Sequence, residues 1–144
     1  MSKVSKVNKV GFEVKTCGRC GGRGHYSRNA MGSTTCYSCN GAKEIYTKRG
    51  ATARARFVEL TSVKASEIVV GDRIHMQDGC WRNVTEIAFR ENAGKVNGVP
   101  YSQLTINTKK VSYGVGPDTL VRVWRGQEAW DACLASALAF QATL

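Results

Sequence analysis

Apolar and polar positions follow different rhythms along this 144-residue chain. Residues 1–10 set isolated valines among small and basic residues, the pattern of an extended basic arm that orders on contact. Residues 13–50 hold few large apolar side chains, and strand character is confined to 10–14 and to 44–48 with Ile45 and Tyr46. Farther on, short alternating runs predict strands at 57–61, at 68–76 with Gly71-Asp72 as a turn or bulge, and at 81–89 across the Asp78-Gly79 turn. Further strands are predicted at 99–106, 110–113 and 120–124. The tail changes period. Ala129, Trp130, Cys133, Leu134, Ala137, Leu138 and Gln141 stand at helical spacing, which predicts a helix over 127–140 laid against the sheet.

Residues 13–50 are too poor in apolar side chains to offset their backbone entropy by burial alone. Cysteine offers another source of cohesion. Cys17 and Cys20, then Cys36 and Cys39, form two Cys-x-x-Cys pairs with fifteen residues between them. Each pair can make a knuckle whose thiolates point the same way, and two knuckles supply four soft ligands in the tetrahedron that Zn(II) accepts. One zinc per chain on these four residues is therefore expected. Such a closed shell has no vacant position for water, so the metal is structural and not catalytic. A pair of disulfides is the first alternative, against which the N-terminus MSKVSKVNKV shows charge without the apolar run of a secretion signal. An iron–sulfur cluster or a redox pair is the second. His25 is read as a surface imidazole, because four thiolates already complete the sphere. Cys80 and Cys133 lack a nearby partner and are read as ordinary half-buried residues.

The expected fold class is a small zinc-bound β-hairpin module followed by a small mainly-β domain, a partly closed sheet or barrel, with a C-terminal helix. Its parts are a basic arm (1–10), the zinc-binding module (11–50), a basic connector (51–56) and the β domain with its helix (57–144).

Charge sharpens that division. The formal net charge is +10, yet residues 57–144 hold nine bases and nine acids, whereas residues 1–56 hold twelve Lys/Arg and only Glu13 and Glu44 against them. Four thiolates and one Zn(II) together would take two units from the first part, leaving about +8. Such a field attracts a polyanion, nucleic acid being the commonest, and a well-solvated surface without a partner is the plain alternative. Arg19 and Arg23 beside the first knuckle, Arg28 on the connecting loop, and Lys43, Lys48 and Arg49 toward the exit strand are the candidates for phosphate contacts. Tyr26 and Tyr37 are placed either to stack on an unpaired base or to cover the metal module. Trp81, Trp124 and Trp130 lie in the neutral half and are expected to fill its core or a protein interface, with Trp124, Trp130, Leu134 and Leu138 as interface candidates. Asp72, His75, Asp78 and Glu86 stand in no order that specifies a nucleophile with its base or an open metal site, so no enzymatic activity is expected. The longest apolar-leaning run, 129–144, is interrupted by Asp131, Ser136 and Gln141 and is too polar for a membrane span. A cytoplasmic location is expected, the host cytoplasm if the protein is viral.

The segments Cys17-Gly18-Arg19-Cys20-Gly21-Gly22-Arg23-Gly24 and Cys36-Tyr37-Ser38-Cys39-Asn40-Gly41-Ala42-Lys43 resemble the cysteine-rich zinc finger of the DnaJ (Hsp40) chaperones. That family repeats Cys-x-x-Cys-x-Gly-x-Gly four times and binds two zinc ions, so two repeats imply a single-zinc version. The second repeat has Lys43 where the last glycine would stand, and no J-domain His-Pro-Asp signature is present. Single modules of this kind occur in small bacterial and bacteriophage proteins that bind nucleic acid or block a nucleic-acid-binding partner, which is the function and the bacteriophage origin that the resemblance implies. Residues 63–74, ending Val70-Gly71-Asp72-Arg73-Ile74, with Trp81-Arg82-Asn83-Val84 beyond, are more distantly similar to Hint and SH3-like barrels, without the splice-junction residues of the former.

The function expected from these features is a small non-enzymatic nucleic-acid-binding protein, DNA or RNA, with a structural zinc site. The alternative is a protein-interaction module that inhibits or adapts a host nucleic-acid-processing machine such as RNA polymerase or a nuclease. The apolar surface of the C-terminal helix makes a homodimer a further expectation.

Overall fold

The computed structural model describes residues 6–26 and 34–144. The chain divides into two compact units, Met1–Phe57 with Ala135–Leu144, and Val58–Leu134. The sequence reading kept 57–144 together, whereas the last ten residues belong to the first unit. Arg28, a candidate for phosphate contact, lies outside the described residues.

The first unit contains β1 (Lys6–Val7), β2 (Glu13–Thr16), β3 (His25–Tyr26), β4 (Thr34–Thr35) and β5 (Glu44–Tyr46). β2 pairs antiparallel with β1 on one side and β5 on the other, and β3 pairs antiparallel with β4. Buried Phe12 makes the small apolar centre, its ring 6.0 Å from Phe57 and 6.5 Å from Tyr46. The C-terminal residues complete the unit: the Gln141 side chain accepts the Glu13 N–H at 2.9 Å and donates to the Gly11 carbonyl at 3.2 Å.

A helix, α1 (Lys48–Leu60), occupies the segment read as a basic connector and the following strand at 57–61. Its start is set by Thr47, whose hydroxyl accepts the Gly50 N–H at 3.1 Å as an N-cap. Ala51, Ala53, Arg54, Ala55 and Arg56 are strong helix formers, and Gly50, Ala53 and Phe57 form its buried face. A basic connector is expected over 51–56, but arginine between alanines favours a helix.

The second unit holds β6 (Ser62–Lys64), β7 (Arg73–His75), β8 (Trp81–Val96), β9 (Val99–Thr108), β10 (Ser112–Val115) and β11 (Leu120–Trp124). They form one antiparallel sheet in the order β10-β9-β8-β7-β11-β6, open at β10 and β6, so the mainly-β class stands and the sheet is open. One face of it is the core: Ile74 and Ile106 are fully buried, and Met76, Val84, Leu104, Val121 and Val123 pack around them. The β8–β9 hairpin runs well past the expected strands and turns at Asn97-Gly98, with φ of 50° and 80° as a two-residue type I′ turn requires. α2 (Gln127–Thr143) is the expected C-terminal helix. Among the described residues no helix is long and apolar enough to cross a membrane.

Candidate metal centre

Each knuckle grows from a strand end. Cys17 follows β2 and Cys36 follows β4, and each Cys-x-x-Cys is succeeded by a turn that feeds the next strand. The two turns have the same backbone: Gly21, Gly22 and Gly24 have φ of 62°, 82° and 82°, and Asn40, Gly41 and Lys43 have 51°, 81° and 69°. Lys43 thus takes the left-handed conformation of the glycine it replaces. Matching hydrogen bonds close the turns, Arg23 N–H to the Cys20 carbonyl at 3.2 Å and Ala42 N–H to the Cys39 carbonyl at 2.9 Å. The turns are also tied crosswise, Cys36 N–H to Gly24 and Cys17 N–H to Lys43.

The geometry brings all four sulfurs together. They lie within 4.8 Å of one another and are buried, with Cys17 Sγ 3.9 Å from Cys36 and Cys20 Sγ 3.8 Å from Cys39. Thiolates at about 2.3 Å from one tetrahedral ion stand about 3.8 Å apart, so the cavity fits such an ion, whereas a disulfide needs about 2.05 Å. All four thiols are free. The Gly24 N–H donates to Cys20 Sγ at 3.2 Å. Burial pushes the Cys39 thiol up to about 11, while the backbone N–H of Cys20 holds Cys17 below its usual value. A divalent cation among the sulfurs would reverse the first effect, since ligating thiols ionise.

The basic candidates divide by environment. Arg19 and Tyr37, one from each knuckle, are brought together, the guanidinium 3.6 Å from the ring centroid, and both are exposed. Arg23, Lys43 and Lys48 are exposed, Arg23 with its Nε on the Cys20 carbonyl at 3.4 Å. Arg49 is engaged within the fold instead, 3.3 Å from Glu13 and 2.9 Å from the Gln141 carbonyl, so its role is to join α1 and α2 to β2. Lys15, exposed on β2 two residues before the first ligand, is a cation the sequence reading passed over. His25 is exposed on β3, and the four cysteine sulfurs assemble without it. Tyr26 lies on β3. Cys80 is exposed rather than half-buried, and half-buried Cys133 has its Sγ 3.6 Å from the Leu60 carbonyl.

The interface candidates sit in different surroundings. Trp124 is half-buried at the end of β11, Trp130 packs edge-on to Trp81 at 5.5 Å, and Leu134 is half-buried on α2. Leu138 packs over Gly11 in the first unit. No protein-family model, curated protein or solved structure matches the chain.

Proposed function

We propose that the protein is a non-enzymatic nucleic-acid-binding protein whose four thiolates hold one structural Zn(II) in a single-zinc module of DnaJ type. The observation that carries this reading is the exposed cationic surface built on the two knuckles, with Arg19 stacked on Tyr37 and Arg23 and Lys43 on the adjoining turns. The metal fixes the knuckles, and the knuckles hold the cations where a phosphate backbone can meet several at once. The repeated turn conformation supports the DnaJ-type reading.

Elemental analysis of protein purified without added metal tests the first half: one zinc per chain is expected, and iron, two zincs or oxidised cysteines would reject it. Cys36→Ser is expected to release the ion and unfold residues 13–50. Titration of duplex and single strands at several salt concentrations tests the second half. Contacts from Arg19, Arg23, Lys43 and Lys48 would give a slope of log affinity against log salt of about −3. Absence of binding at low salt would reject it in favour of a protein partner.

A further inference from the structure

The solvent side of the second unit's sheet carries a row of aromatic, cationic and amide side chains. Register sets Trp124 opposite Arg73 across β11 and β7, and Arg73 opposite Asn83 across β7 and β8. Directly opposed residues of an antiparallel pair project on the same side. Their chain neighbours Val123 and Ile74 are buried in the core, so the row Trp124, Arg73, Asn83 faces outward. It lines a cleft of about 650 Å³ that also includes the Asp72–Arg125 pair.

Trp124 is half-buried, and the Arg73 guanidinium stands 5.9 Å from its ring centroid, the loose limit of a cation–π contact. Trp81, held edge-on by His75 at 5.0 Å, is shared between this cleft and a second depression of about 280 Å³ bordered by Lys109 and Lys110. The acid that lines the cleft and the acid of the turn before β8 are neutralised. Asp72 accepts from Arg125 at 2.9 and 3.3 Å, and Asp78 pairs with Arg82. The neutral charge of residues 57–144 therefore conceals a local excess of cations, since exposed Arg73, Lys109 and Lys110 have no carboxylate partner among the described residues.

A flat indole, a guanidinium and an amide in one row, with two lysines beyond a shared wall, suit an unpaired base and its flanking phosphates. We propose that this face binds single-stranded nucleic acid, one base stacking on Trp124, Asn83 meeting the base edge, and phosphates reaching Arg73, Lys109 and Lys110. Bases in a duplex are already stacked and cannot lie on the indole. The site shares no residue with the thiolate unit, so it stands or falls independently of the cationic knuckles.

The test is titration of the full-length chain with a labelled, unstructured strand of about twelve nucleotides, with the corresponding duplex, and with adenosine monophosphate as competitor. Trp124→Ala is expected to lower strand affinity roughly tenfold and to leave duplex affinity unchanged. Trp124→Phe, which keeps an aromatic plane, should restore most of the loss. Lys109→Glu with Lys110→Glu, both exposed and safe for folding, should weaken the strand at least as much and flatten its salt dependence. Unchanged strand affinity in the lysine variant would overturn the proposal, as would equal losses for strand and duplex in Trp124→Ala. Adenosine monophosphate binding as tightly as the strand would also overturn it, because the occupant would then be a free nucleotide. Arg19→Ala with Arg23→Ala reads the knuckle surface separately: Trp124-dependent strand binding that persists in this variant supports the cleft, and its disappearance there overturns an independent site.

Discussion

Lys43 occupies a backbone conformation, φ 69°, that its partner position fills with Gly24 at 82°. A residue with a Cβ pays about 1 kcal/mol or more for that geometry. Lys43→Gly is therefore expected to raise the melting temperature of the first unit, retain the metal and weaken polyanion binding, so that stability and binding change in opposite directions. Gly24 has no such freedom, because a Cβ there would fall 2.9 Å from the Gly41 carbonyl oxygen, and Gly24→Ala should destabilise the unit. Asp72 is the corresponding single residue of the second unit. Burial pushes its carboxyl up, but hydrogen bonds from Arg125 and from the Val69 N–H outweigh this and hold it below the usual carboxylate range. A group depressed in the folded state contributes its stability above the unfolded value, about 4, and loses it as pH falls through the folded one. Asp72→Asn is expected to cost about 2 kcal/mol at neutral pH. Denaturant titrations carried stepwise into acid should show the gap to wild type narrowing.

At the scale of elements, α1 meets β2 at a point where no side chain fits. A Cβ on Gly50 would lie 2.0 Å from the Glu13 carbonyl oxygen, so Gly50→Ala, favourable in an isolated helix, is expected to cost about 3 kcal/mol here, measured by chemical denaturation. This close approach was invisible in the sequence, which showed only a glycine inside a run of cations. The thiolate centre was fully legible because its information is local: four ligands at knuckle spacing, and turns that must be left-handed. Most strands of the sheet were legible for the same reason, since Val121 and Val123, or Ile74 between Arg73 and His75, alternate in and out. That alternation also assigns Arg122 and Trp124 to the outer face, which the zero net charge of residues 57–144 does not reveal. The long hairpin was foreshortened because its outer half carries polar residues and a register shift between Arg90 and Gly94, which hide the period.

In the molecule as a whole, sequence distance and structural membership part company at the C-terminus. Residues 135–144 carry no charged side chain and stand about a hundred positions from Cys39, yet they belong to the unit that holds the four clustered cysteines. The link runs through Gln141, whose side chain is buried against β2 and satisfies both the Glu13 N–H and the Gly11 carbonyl. Glu13 in turn accepts Thr47 at the start of α1 and pairs with Arg49. β2 leads directly into Cys17, so loosening its first residue frees the first knuckle. Gln141→Leu preserves most of the side-chain volume but leaves the buried Glu13 N–H and the part-buried Gly11 carbonyl without this partner, at a cost of about 2 kcal/mol. With zinc held as proposed, metal binding and folding of this unit are one equilibrium, and the same free energy should appear as faster loss of zinc to a competing chelator, about thirtyfold at equal chelator concentration. Zinc release at the wild-type rate, with the thermal stability of the first unit unchanged, would show that the C-terminal residues do not hold β2 in place.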